Sequence, residues 1–223
     1  MTNEVKTLTL GHVGRGTGEV QPFDARFENG LLVSVEDIVQ GADIDALVIW
    51  GGADISPTLY GSGVARYCGA GVQPSLGDRI EEGAVKAAIE RGIPVIGICR
   101  GAQLVCAVAG GKLIQHVDGH AGGDHEITTD EGEKYMTSSV HHQMMYPWDV
   151  EHNLIAWSSV KRSKVYMTDV TDFDPVAQEK PEPEIVWFPK IKALAIQGHP
   201  EFMRESEPFV QYCLKLVDQY ILS

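Results

Sequence analysis

The pentapeptide Gly97-Ile98-Cys99-Arg100-Gly101 places one thiol between two glycines, directly after the apolar run Ile93-Pro94-Val95-Ile96. A G-x-C-x-G at a strand-to-helix junction is a nucleophile elbow, a turn so sharp that the nucleophile projects from the carboxyl end of the strand. The turn strains the backbone, so its neighbours must lack bulk, which Gly97 and Gly101 supply. A helix starting there directs free N–H groups and a partial positive charge at the sulfur, favouring a thiolate. The backbone N–H of Arg100 is then suitably placed to bind an oxyanion.

A nucleophilic thiol needs a base, and the base needs an orienter. In Ile196-Gln197-Gly198-His199-Pro200-Glu201-Phe202, an imidazole follows a strand-like run and a carboxylate stands two residues on. The intervening proline is rigid enough to hold Glu201 against one ring nitrogen while the other faces a thiol. By itself the H-P-E triplet is equally a surface neighbour pair; beside the elbow it becomes a candidate Cys99/His199/Glu201 triad. Gly51-Gly52, after the apolar run at 46–50, reads either as an ordinary turn or as a place where Gly52 N–H approaches a ligand as a second oxyanion donor. Asp54 reads equally as a cap on that turn or as a substrate contact.

Positioning these groups requires a parallel sheet. Residues 7–13 and 31–35 read as strands, and 46–50 as a strand of the fully buried kind. Residues 78–91 carry an apolar stripe at helical spacing (Ile80, Ala84, Val85, Ala88, Ile89) ended by Gly92. Residues 93–98 read as a buried strand and 103–109 as a helix of small residues. Alternating strands and helices predict an α/β sheet covered on both faces. The chain then turns polar, with short extended pieces at 126–129 and 137–141. Strand-like runs at 154–159, 163–169, 184–188 and 193–197 follow without helices, which predicts hairpins. Residues 171–184, with three prolines and a run of acids, read as a loop. Residues 206–222 form an amphipathic helix capped by Ser206, with Pro208 near its start.

At 223 residues, one domain over 1–223 is expected. The net charge of −13, from 31 acidic and 18 basic residues, argues against a nucleic-acid partner. The beginning of the chain has no charged-then-apolar leader, and no apolar run is long enough to span a bilayer. Four cysteines without metal-type spacing fit a reduced, cytoplasmic setting. Cys106 reads as core packing. His116, His120 and His125 fit no metal-ligand spacing and read as part of a polar loop. His142 reads as a bystander beside His141.

Four stretches in register are similar to the class I glutamine amidotransferase family: Gly51-Gly52-x-Asp54-x-x-Pro57-x-x-Tyr60-Gly61, the Cys99 elbow extended to Gln103, Ser139-x-His141-x-Gln143, and Gln197-Gly198-His199-Pro200-Glu201. The match runs from 46 to 202. It looks most like the stand-alone γ-glutamyl hydrolase branch that includes γ-glutamyl-γ-aminobutyrate hydrolase. The resemblance implies a flavodoxin-like three-layer α/β/α sandwich, with a mostly parallel central sheet and extra antiparallel strands in the C-terminal half. It implies Cys99 as nucleophile, His199 as base and then acid, and Glu201 as orienter. It also implies an oxyanion hole from the N–H groups of Gly52 and Arg100, and substrate contacts from Gly51, Gln103, Ser139, His141 and Gln143. Hydrolysis of γ-glutamyl amides without metal or organic cofactor is expected. The alternatives are a glutaminase delivering ammonia to a separately encoded synthetase or amide ligase, and a non-catalytic binding protein on the same fold. Expected partners are a γ-glutamyl compound or glutamine, such a synthetase, and further copies of the chain in a homo-oligomer; nucleic acid and membrane are not. Trp50 stands where relatives usually carry a smaller or aliphatic residue, so a different pocket wall is expected there. Residues 119–134 are the least family-like segment.

Overall fold

A computed structural model describes residues 7–13, 21–172 and 174–223. Its centre is a nine-stranded sheet. Strands β1 (Thr9–His12), β2 (Asn29–Leu32), β3 (Ala46–Ile49), β4 (Val95–Ile98) and β13 (Ala193–Ile196) lie parallel in the order β2-β1-β3-β4-β13. The sheet continues antiparallel through β12 (Pro183–Phe188), β10 (Asn153–Ser158), β7 (His125–Thr129) and β8 (Lys134–Thr137). Short strands β5 (Lys112–Ile114) and β9 (Met144–Tyr146) pair with each other, as do β6 (His116–Val117) and β11 (Tyr166–Met167).

Continuous apolar runs are what a sheet buried on both faces requires, because successive side chains alternate between faces. Along β3, Leu47 and Ile49 join one core with helices α1 (Val35–Gln40), α2 (Leu76–Glu90) and α3 (Arg100–Val108). Ala46 and Val48 join the opposite core with Phe23, Phe27 and helix α5 (Pro208–Tyr220). Each fully buried Leu, Ile or Val contributes on the order of 2 kcal/mol, so these two cores carry most of the gross driving force. The flavodoxin-like three-layer arrangement with antiparallel strands in the C-terminal half is therefore present.

Several elements differ from the sequence reading. The strand read at 31–35 ends at Leu32, and helix α1 takes over at Val35. Ser34 and Asp37 form a reciprocal capping box, and that local hydrogen bonding outweighs the apolar alternation. Helix α3 begins at Arg100 rather than 103, immediately after the cysteine. The extended piece read at 137–141 lies earlier, as β8. The strand read at 163–169 shrinks to Tyr166–Met167. Within the loop read at 171–184 stands a short helix, α4 (Pro175–Glu179): Asp174 caps the Val176 and Ala177 N–H groups, and Pro175 occupies the first turn. Helix α5 is preceded by Glu207, not Ser206, at its N-cap. Ile80, assigned to the buried stripe of α2, is exposed.

Candidate active site

Three adjacent parallel strands end at one edge of the sheet. Ile49 of β3 pairs with Gly97 of β4, and Ile98 of β4 pairs with Ile196 of β13. The residues just beyond these ends, Gly51-Gly52, Cys99 and His199, therefore emerge side by side, although up to about 150 residues separate them in sequence. The carboxyl edge of a parallel sheet is where open α/β folds bind ligands. A cavity of about 260 Å³ opens there, bordered by Gly51, Gly52, Cys99, Arg100, Gln103 and His199 among others.

Cys99 has φ 51° and ψ −105°, a conformation strained for any residue with a side chain. Its backbone N–H continues the ladder by donating to Ile196 O at 2.8 Å, so the thiol is tied to β13 as well as β4. The flanking glycines are sterically required. A Cβ on Gly97 would stand 2.6 Å from Gly101 O, and one on Gly101 would stand 2.0 Å from Ile49 O. Helix α3 packs this closely on the sheet, its first N–H groups beside the cysteine.

His199 is buried, and its Nδ1 lies 2.7 Å from Glu201 Oε1. A 3-10 turn at Pro200–Phe202 bends the chain so that the carboxylate returns to the ring, and Phe202 stacks on the imidazole at 4.4 Å. The His199 backbone N–H donates to Ser138 O. Burial would lower the imidazole pKa, but the pull of Cys99 and Glu201 outweighs it and raises the value to about 9. A Cβ on Gly51 would meet His199 Cε1 at 2.9 Å and Cys99 Cβ at 3.5 Å, which fixes all three residues around one small space.

Arg100 borders the cavity and is tied by its side chain to α2. The guanidinium is nearly buried, paired with Asp78 at 2.6 Å and with Glu81, both on α2. The other oxygen of Asp78 caps Ser75 at the start of α2. Gln103 borders the cavity, with its Nε2 donating to Gln143 O at 3.2 Å. His141 and Gln143 also border it, and both polar atoms of the buried Gln143 amide lack a hydrogen-bond partner in the protein. Ser139 is not brought to the cavity; its hydroxyl donates to His120 O at 2.6 Å. Trp50 does not form the cavity wall either. Its ring stacks on Phe23 in the core beneath.

Two residues read as bystanders or left open take defined places. Asp54 accepts from Gly69 N–H at 2.6 Å and from His142 Nε2 at 3.0 Å. His142 thus borders the cavity with its charge partner rather than standing idle, and this pairing raises its pKa. Cys106 is fully buried in the core, where burial pushes its thiol up to about 12. His120 and His125 are not in a solvated loop. They are buried with His141, Glu182 and Glu184 beneath the cavity wall, an arrangement invisible in local spacing because Glu184 arrives from β12. No helix among the described residues is long and apolar enough to cross a membrane.

The Peptidase C26 family profile matches residues 34–161. The glutamine amidotransferase-like protein YvdE of Lactococcus lactis is 30% identical over 186 residues, covering 74% of this chain and 70% of that one. The carbamoyl phosphate synthase small chain of Escherichia coli is 26% identical over 145 residues, 61% of this chain but only 32% of that one. A glutamine amidotransferase from Thermotoga maritima superposes with a TM-score of 0.56 at 12% identity, covering 98% of this chain and 97% of that one, a likeness of fold.

Proposed function

The chain belongs to the Peptidase C26 family of glutamine amidotransferase-like proteins, and from that premise we propose that it is a cysteine-dependent hydrolase of γ-glutamyl amide bonds. The meeting of Cys99 and His199 at one cavity, with Glu201 hydrogen-bonded to the far side of the His199 ring, is the observation that carries this reading. His199, whose pKa Cys99 and Glu201 raise, takes up the thiol proton of Cys99 as the sulfur attacks.

The Cys99 sulfur attacks the γ-carbonyl carbon, and the carbonyl π electrons move onto oxygen. The N–H groups of Gly52 and Arg100 stabilise that oxyanion; one such donor is worth roughly 3 kcal/mol in other hydrolases. Collapse of the intermediate breaks the C–N bond while His199 passes its proton to the leaving ammonia or amine. A γ-glutamyl thioester remains. His199, now neutral, takes a proton from water, whose oxygen attacks the thioester carbon and releases glutamate and the thiolate. Glu201 holds the ring in the tautomer that both steps need. Gln143, which borders the cavity, carries an amide with a donor and an acceptor for the polar end of the glutamyl group.

A second reading is favoured by the similarity to a carbamoyl phosphate synthase small chain: hydrolysis of free glutamine with ammonia passed to a synthetase partner. A panel of γ-glutamyl amides, glutamine included, assayed for glutamate release separates the two. Turnover of γ-glutamyl amines by the isolated chain supports the hydrolase. Activity confined to glutamine, and dependent on an added synthetase, supports the donor. If a glutamine-mimicking alkylator fails to modify Cys99 and no compound turns over, the chain is a binding protein.

A further inference from the structure

Behind the wall that His141 gives to the cavity, five titratable side chains meet in the protein interior: His120, His125, His141, Glu182 and Glu184, each no more than 4% exposed. Their chain positions explain the convergence. His125 lies on β7 and Glu184 on β12, His120 precedes β7, and His141 lies between β8 and β9. His120 Nδ1 is 3.3 Å from Glu184 Oε1, His125 Nε2 is 2.8 Å from it, and His141 Nε2 is 3.9 Å from it. Ligand atoms of a tetrahedral zinc centre with bonds of about 2.0–2.1 Å sit roughly 3.3 Å apart, the middle of that range. One ligand atom each from His120, His125 and Glu184 lies within 4.8 Å of the other two.

The hydrogen bonds turn lone pairs inward. His141 Nδ1 lies 2.8 Å from Gln143 O, a pure acceptor, so Nδ1 carries the proton and the neutral ring presents its Nε2 lone pair toward Glu184. That Nε2 has no hydrogen-bond partner, and neither do His120 Nδ1 and Glu184 Oε2; His125 meets Glu184 Oε1 with Nε2, at 2.8 Å. A lone pair aimed at a carboxylate in a dry interior is repulsive unless a proton or a metal cation stands between them. His120 Nε2 faces Glu182 Oε2 at 3.1 Å, and Glu182 is held by Tyr166 OH and by the N–H groups of Arg162 and Ser163. This is the outer carboxylate–histidine support that metal-binding imidazoles use. One divalent ion would offset the charge of the two carboxylates buried here.

We propose that His120, His125, His141 and Glu184 bind one divalent transition-metal ion, zinc by donor set and geometry, as a closed structural site bracing the active-site wall. The sequence reading expects no metal; His120, His125 and Glu184 bring three donor atoms close together, and His141 Nε2, 3.9 Å from Glu184 Oε1, is the fourth, the donor set of a zinc centre. Four protein ligands leave no open position, so the ion takes no part in amide hydrolysis.

The full chain carrying Cys99→Ala, which removes the active-site thiol as a rival ligand, is dialysed against a chelator, equilibrated with Zn²⁺ or Co²⁺ and gel-filtered. Expected are about one ion retained per chain, intense visible Co²⁺ absorption of the four-coordinate type, and a higher Tm with either ion. His125→Gln and Glu184→Gln, each checked for native circular dichroism, should lose the retained ion and the absorption. Absence of retained metal in the Cys99→Ala chain, with no change in Tm, overturns the site and leaves protons shared among the histidines and glutamates. Full retention in folded His125→Gln and Glu184→Gln chains overturns the assignment equally.

Discussion

The guanidinium of Arg100, a residue that borders the cavity, pairs with Asp78, 2.6 Å away on the neighbouring helix. Asp78 does two things at once: one oxygen closes the capping box with Ser75, and the other receives Arg100. The start of α2 is thereby bolted to the start of α3, and with it the turn that carries the cysteine. Asp78→Ala removes the cap and leaves a nearly buried cation with Glu81 as its remaining partner. Loss of one member of a buried pair costs about 3–5 kcal/mol, with about 1 kcal/mol more for the cap. Urea denaturation should show a loss in the lower part of that combined range, since Glu81 compensates in part. A loss below about 1 kcal/mol would mean that the bolt carries little load.

Cys99→Ala should lower turnover by a factor on the order of 10⁴ or more, because triad members act as a unit. Retention of more than about a hundredth of wild-type activity in a folded variant removes Cys99 from the nucleophile's role. Backbone strain at this position gives an independent check. A non-glycine residue at such angles costs about 1–3 kcal/mol, and glycine's extra unfolded-state entropy returns only part of that. Cys99→Gly should therefore be more stable than Cys99→Ala by about 1 kcal/mol in paired denaturation curves, and equally inactive.

Protonation of His199 sets the pH response. Burial alone would lower its pKa; the hydrogen bonds and charges of Cys99 and Glu201 raise it from 6.5 to about 9. A folded-state pKa above the unfolded one stabilises the fold fully below pH 6.5, and that contribution is lost as pH rises through 9. The stability difference between wild type and Glu201→Gln should therefore shrink between pH 6.5 and 9.5. In activity, the alkaline limb of kcat/KM should fall near pH 9, where the leaving group loses its proton donor, and should move to lower pH in Glu201→Gln. An alkaline limb unmoved by Glu201→Gln would show that a different group sets it.

Two glycines should fail in different ways. Gly101→Ala forces a methyl to within 2.0 Å of Ile49 O, a backbone atom that cannot turn aside. It should unfold the chain or cost more than about 3 kcal/mol. Gly51→Ala places its methyl 2.9 Å from His199 Cε1, a side-chain atom that can shift. Its melting temperature should stay within a few degrees of wild type while kcat falls on the order of 10²-fold, the penalty for misplacing a catalytic group by about 1 Å. Equal stability losses in the two variants would contradict this division.

The residues around the site were legible to different depths. The elbow's geometry could be read because it is local: a sharp turn at Cys99 needs glycine on both sides, and the sequence must show it. Glu201 could be read for the same reason, standing one proline from its histidine. Helix α1 is hidden in the sequence although Ser34 and Asp37 signal its cap, since the alternation of residues 31–35 mimics a strand. The motif groups Ser139 with the cavity residues, yet its hydroxyl donates to His120 O instead.

Local order decided what the sequence determined by itself: apolar runs that must be buried strands, a thiol on a strained corner, an imidazole with its carboxylate beside it. Strand order decided the rest. Only the pairing of β3 with β4 and of β4 with β13 puts residues 51, 99 and 199 at one edge, and only β12 lying near β7 brings Glu184 to His125. Such contacts join segments some 50–150 residues apart, and their free energy comes from burying whole sheet faces, which no short stretch of residues expresses.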